Sequence, residues 1–176
     1  MRFLIVDDSM NDRELVVRRL KREFPAAEYV EVGLPEDLDA AIVHDQFDIV
    51  LTDYQLNWAN GLQILKTVKQ RYPDVPVLMV TGTGSEEIAV EGLRSGLSNY
   101  ILKSHLERLP QAVHESLEKV RLQKQYDEAL LQLRQSEERY REIFEQGLTA
   151  SLCVHLRESF SPVMLPLHIS LAFLLK

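Results

Sequence analysis

Four charged side chains stand where short apolar runs end. Asp7 and Asp8 follow Phe3-Leu4-Ile5-Val6, Asp53 follows Ile49-Val50-Leu51-Thr52, and Lys103 follows Tyr100-Ile101-Leu102. If each run is a strand of one open parallel sheet, its carboxyl end lies on the edge where ligands bind, at the point of strand-order reversal. The spacing therefore predicts one pocket holding three carboxylates and an ammonium. A carboxylate is a poor nucleophile toward a phosphoryl donor until negative charge is neutralised. Mg²⁺ does this with octahedral oxygen ligands drawn from one or two carboxylates, waters and phosphate oxygens. Asp8 and Asp53 are expected to ligate directly and Asp7 through water, with the backbone carbonyl of Gln55 completing the protein's share. Lys103 offers a point cation to a phosphoryl oxygen. The Thr81 hydroxyl, ending a fourth apolar run, is placed to donate a hydrogen bond to the phosphorylated form.

The elements that must position these groups alternate along the chain. Phe3–Val6 reads as a strand, and Met10 to Phe24 as a helix with Val16, Leu20 and Phe24 on one face. Tyr29–Val32 is a second strand, followed by a helix whose first turn holds Pro35, Glu36 and Asp37. Ile49–Thr52 is the third strand, and the helix from Gly61 to Tyr72 turns Leu62, Leu65 and Val68 inward. Pro76–Val80 is the fourth strand, Ser85 to Ser95 a helix, and Tyr100–Leu102 the fifth strand. Continuous apolar strands separated by helices point to a parallel sheet covered on both faces.

At this point the chain from Met1 to about Val120 resembles the receiver domain of bacterial response regulators. The resemblance rests on Leu4-Ile5-Val6-Asp7-Asp8-Ser9, Asp48-Ile49-Val50-Leu51-Thr52-Asp53, Asn60-Gly61, Val80-Thr81-Gly82, Ser95-Gly96 and Tyr100-Ile101-Leu102-Lys103. It implies an α/β, doubly wound, five-stranded parallel sheet of flavodoxin-like order 2-1-3-4-5. It also implies that Asp53 accepts a phosphoryl group from a histidine kinase or phosphotransfer protein. Tyr100 matches the aromatic that swings inward when the threonine moves toward the phosphoryl group. Two positions depart from the pattern: Ser104 replaces the proline that usually follows the lysine, and Asn57 to Asn60 lacks the proline common after the acceptor.

Each residue has a plainer reading. An Asp after a strand is often a turn or helix-cap residue, and Thr81 or Tyr100 alone is weak. Acids and a lysine together at the ends of the right strands outweigh that reading. Gly82-Thr83-Gly84-Ser85 lacks the Lys-Ser/Thr of a nucleotide P-loop, so a mobile loop is expected, with Thr83 or Ser85 capping the next helix. His114-Glu115 faintly resembles a histidine-kinase phosphoacceptor box, but Ser116-Leu117-Glu118 does not continue it. His44, His105, His155 and His168 show no ligand spacing.

From Leu109 to Gln146 the pattern becomes one long helix, without Pro or Gly between Gln111 and Gln146. Leu122, Tyr126, Ala129, Leu133, Ser136, Tyr140 and Ile143 follow the 4-3 spacing of a coiled-coil seam. A parallel homodimer through residues 121–146 is expected, the alternative being a helix folded back on its own domain. Leu133 to Glu145 resembles the signalling helix that leads into a PAS sensor domain, so Gly147 to Val154 is expected to open a first PAS strand. The remainder of 147–176, with its apolar tail Val163–Leu175, is too short for a whole PAS fold.

Twenty Lys and Arg against 27 Asp and Glu give a formal net charge of -7. No helix gathers its basic residues on one side, which argues against nucleic acid as a partner. The lone Cys153 excludes an internal disulfide framework and fits a reducing compartment. The apolar N-terminal run is too short for a signal peptide, and the tail is shorter than the ~20 residues of a membrane helix. A cytoplasmic protein with no membrane contact is therefore expected.

The expected function is a phosphorylation switch rather than an enzyme. Asp-x-Asp phosphohydrolases place a general acid/base two residues past the nucleophile, where this chain has Gln55. The competing expectation is a phosphorylation-independent interaction or dimerisation module on the same fold.

Overall fold

The computed structural model describes residues 1–82 and 86–159, with side chains as far as Glu145. Thr83 and Ser85, the expected caps, and the Val163–Leu175 tail lie outside the described residues. In chain order the elements are β1 (Arg2–Val6), α1 (Met10–Glu23), β2 (Glu28–Val32), α2 (Pro35–His44), β3 (Ile49–Thr52) and α3 (Gly61–Arg71). They continue with β4 (Val77–Thr81), α4 (Glu86–Arg94), β5 (Asn99–Leu102), a 3₁₀ stretch (Lys103–Arg108) and α5 (Leu109–Ser159). The five strands are all parallel in the order β2-β1-β3-β4-β5.

Strand alternation builds two cores. Leu4, Val6, Val50 and Met79 face Leu38, Ile42, Ile64, Leu65 and Val68 of α2 and α3. Phe3, Ile5, Leu51, Leu78 and Ile101 face Val16, Val17 and Leu20 of α1 and Leu109 and Val113 of α5. Right-handed crossovers account for the division. The β1-α1-β2 connection steps across the sheet in one direction, while β2-α2-β3 and its successors step in the other. Chain direction therefore reverses beside β1, and the carboxyl ends of β1 and β3 flank the resulting crevice.

Local chemistry fixes the helix starts that border this crevice. Ser9 caps α1 through Asp12 N–H, and Pro35 occupies the first turn of α2. Asn60 and Gln63 form a reciprocal capping box at α3.

The chain divides into two compact units at Tyr126/Asp127. Helix α5 is 51 residues long and passes through Gly147–Val154, so this segment is helical and not the PAS strand expected from the sequence. A single glycine costs a helix only about 1 kcal/mol relative to alanine, and good helix formers stand on both sides of it, Glu145 and Gln146 before and Leu148 and Ala150 after. Leu122, Tyr126, Leu133, Tyr140, Ile143 and Phe144 are all exposed. Among the described residues, no helix is long and apolar enough to cross a membrane.

Candidate functional site

Ladder hydrogen bonds carry the sheet one residue beyond its strands. Asp7 N–H donates to Val32 O at 3.1 Å, and Asp53 N–H donates to Val6 O at 2.9 Å. The two acids are thereby held level on the rim. Asp7 Oδ1 accepts Ser9 N–H at 2.8 Å, while Arg13 Nη1 donates to the Asp7 carbonyl at 2.5 Å. Asp53 Oδ1 accepts the N–H groups of Tyr54 at 2.5 Å and Gln55 at 3.3 Å. That leaves Asp53 Oδ2 facing the crevice.

Lys103, immediately after β5, reaches into the same crevice. Its ammonium donates to Asp7 Oδ2 at 2.7 Å, Asp53 Oδ2 at 2.8 Å and Asp12 Oδ2 at 2.6 Å. Burial works to lower its pKa, but the Asp12, Asp53 and Asp7 carboxylates outweigh burial and raise it. Burial pushes the Asp7 carboxyl up, although Lys103 and the Ser9 amide pull the other way. The rim is therefore short of positive charge.

The loop after β3 is built to hold Asp53 in place. Gly61 N–H donates to Tyr54 O at 2.8 Å, and a Cβ on Gly61 would lie 2.6 Å from Asp53 O and 3.0 Å from Tyr54 Cα. Only glycine lets α3 start this close to the acceptor strand. Gln55 pairs with Asn60 across the loop. The Trp58 indole N–H donates to Gly33 O at 3.0 Å, tying the loop to the end of β2. Thr81 is buried at the end of β4, and Tyr100 is half-buried on β5. Burial raises the Tyr100 phenol, and Asp53 and Tyr54 add to the effect.

Of the expected residues, the structure gathers Asp7, Asp53 and Lys103 into direct contact. Asp8 Oδ2 accepts Asn57 N–H at 3.0 Å. Among the described residues, no three acidic or imidazole side chains form a metal cluster. Lys103 is the counter-charge that draws Asp7 and Asp53, whereas Asp8 finds a backbone amide on the opposite loop. The donor set nevertheless fits a hard divalent cation, because every candidate ligand is an oxygen and three acids share one ammonium.

Asp12 was missed by sequence reasoning. The available signal was an acid in the first turn of the helix that directly follows β1. The Lys103–Ser104 peptide is trans.

A doubly wound parallel sheet with acids after its first and third strands and a lysine after its fifth defines a class of signalling module. Residues 3–114 match the response regulator receiver domain family. The chain is 32% identical over 126 residues to a chemotaxis protein CheY homolog of Campylobacter jejuni, covering 68% of this chain and 92% of that one. It is 32% identical over 103 residues to the response regulator protein PilR of Pseudomonas aeruginosa, covering 57% of this chain and 22% of that one. The crystal structure of a CheY-like receiver domain protein from Methanospirillum hungatei superposes with a TM-score of 0.62 at 28% identity, covering 69% of this chain and 97% of that one. The chain belongs to the response regulator receiver domain family, whose members are signalling modules of two-component systems.

Proposed function

We propose that Asp53 accepts a phosphoryl group from a histidine kinase or phosphotransfer protein, and that the resulting change passes into α5. The observation carrying this reading is the clamp on Asp53. Two backbone amides hold Oδ1, while Oδ2 meets the Lys103 ammonium at the crevice. A carboxylate oxygen attacks phosphorus, the bond from phosphorus to the donor histidine nitrogen breaks, and an acyl phosphate remains on Asp53. Lys103 moves its ammonium onto a phosphoryl oxygen, and the Thr81 hydroxyl donates to another. Withdrawal of Thr81 toward the phosphoryl group opens space for the Tyr100 ring to turn inward.

Asp8 and Asp53 would hold Mg²⁺ directly, Asp7 through water, and Gln55 through its carbonyl. Bound there, Mg²⁺ supplies neutralisation of the carboxylates and the incoming phosphoryl oxygens. Asp8 gives up its bond to Asn57 N–H to take part.

Output through α5 is supported by continuity. The 3₁₀ stretch beginning at Lys103 leads directly into α5, whose Leu109 and Val113 are buried in the receiver core. The exposed 4-3 stripe from Leu122 to Ile143 supports a parallel homodimer beyond the receiver. The likeness of Leu133–Glu145 to the lead-in of a PAS domain favours a signalling helix. A cytoplasmic setting accords with a histidine kinase as donor.

Acetyl phosphate with Mg²⁺, followed by intact mass, tests the reading. Wild type gains one phosphoryl mass and Asp53→Asn gains none. Wild type remaining unmodified would favour the phosphorylation-independent module.

A further inference from the structure

We infer that Asp12 is a positioning residue that occupies one donor of Lys103 in the resting state and is displaced by the phosphoryl group. This inference rests on the assignment of Asp53 as acceptor. An ammonium has three N–H donors, and here all three are spent, on Asp7, Asp12 and Asp53. Lys103 cannot contact an incoming phosphoryl oxygen without giving one up.

Exposure decides which partner leaves. The Asp7 and Asp53 side chains are 6% and 10% exposed, whereas that of Asp12 is 33% exposed. A carboxylate at the solvent edge rehydrates on release, whereas buried Asp7 would be stranded and Asp53 keeps its contact until its oxygen bonds to phosphorus. Asp12 also stands in the first turn of α1, a separate element from the acceptor strand, so its release leaves the Asp53 clamp intact.

The consequence is a built-in competitor. Asp12 holds Lys103 in register for Asp53, yet its charge repels an anionic donor and withholds a cationic N–H. Neutralising it frees that donor and lowers the negative charge at the rim. In the test reaction the Asp53 carboxylate forms a bond to phosphorus, the bond from phosphorus to acetate oxygen breaks, and acetate leaves with the electron pair.

The experiment compares full-length wild type, Asp12→Asn, Asp12→Ala and Asp12→Glu with acetyl phosphate and Mg²⁺ at low ionic strength, reading initial rates by intact mass. Asp12→Asn and Asp12→Ala should be phosphorylated about three- to ten-fold faster, as expected for losing one charge-assisted contact at a partly open site. Asp12→Glu should stay within about two-fold of wild type, and raising the salt should narrow the gap by screening. A purely structural role would lower the unfolding midpoint without accelerating phosphorylation. Rates at or below wild type in both neutral variants overturn the inference. Absence of phosphorylation in wild type and variants alike overturns the assignment of Asp53 instead, and the inference falls with it.

Discussion

The Lys103 ammonium lies 2.8 Å from Asp53 Oδ2, joining the end of β5 to the end of β3 across the intervening β4. With its bond to Asp7, the same ammonium ties three strand ends together. The positive charge is therefore a structural tie as well as a chemical group.

Replacing Lys103 with methionine should cost about 2–4 kcal/mol at pH 7, because it strands carboxylates that are mostly buried. The sign of the pH dependence follows from Asp7. Its carboxyl already lies above its ordinary value because of burial, and removal of the ammonium raises it further. A folded pKa above the unfolded one means that the native state binds more protons, so stability increases as pH falls. Urea denaturation at pH 7 and pH 5 should show Lys103→Met recovering part of its loss at the lower pH. An equal loss at both would contradict this account.

Gly61→Ala should lose about 1–3 kcal/mol, since the Met79 methyl can yield to the new Cβ but the backbone at Asp53 and Tyr54 cannot. Gly82→Ala serves as control: among the described residues its Cβ would meet only Lys103 Cδ, at 3.9 Å. Chemical denaturation should separate the two clearly. Comparable midpoints would remove the close approach as the reason for glycine.

Trp58 is the chain's single tryptophan and follows Asn57, the residue whose amide holds Asp8. Drawing Asp8 toward Mg²⁺ releases that amide and disturbs the indole bond to Gly33. Titration with Mg²⁺ should therefore change indole emission saturably in wild type and not in Asp8→Asn. Identical curves for the two would separate Asp8 from the metal.

Charging the exposed stripe of α5 should break the proposed dimer. Leu133→Asp combined with Tyr140→Asp should sediment as a monomer where wild type sediments as a dimer. Thermal unfolding of the receiver should not change, because both positions lie outside the Met1–Tyr126 unit. A wild type that is monomeric at all accessible concentrations would end this prediction at once.

How much of this was legible beforehand can be judged residue by residue. Strand ends were readable because apolar runs such as Ile49–Thr52 stop abruptly at charged residues, and burial on both faces demands such runs. The long helix was readable from composition, but its extension through Gly147 was not, because a glycine signal is weak against strong helix formers on both sides. The gathering of Asp7, Asp53 and Lys103 on one rim was implied by the strand ends, since a parallel sheet brings all carboxyl ends to one edge.

What the amino-acid order determined by itself was therefore the edge on which the acids and the lysine assemble, because a strand's polarity and end are local properties. Tertiary structure alone decided which acid meets the ammonium. Asp12 takes a place beside Lys103 and Asp8 turns to Asn57. That choice depends on where α1 and the β3–α3 loop sit relative to β5, and on how exposed each carboxylate remains. Distances between side chains on separate elements are set by packing, and no spacing along the chain encodes them directly.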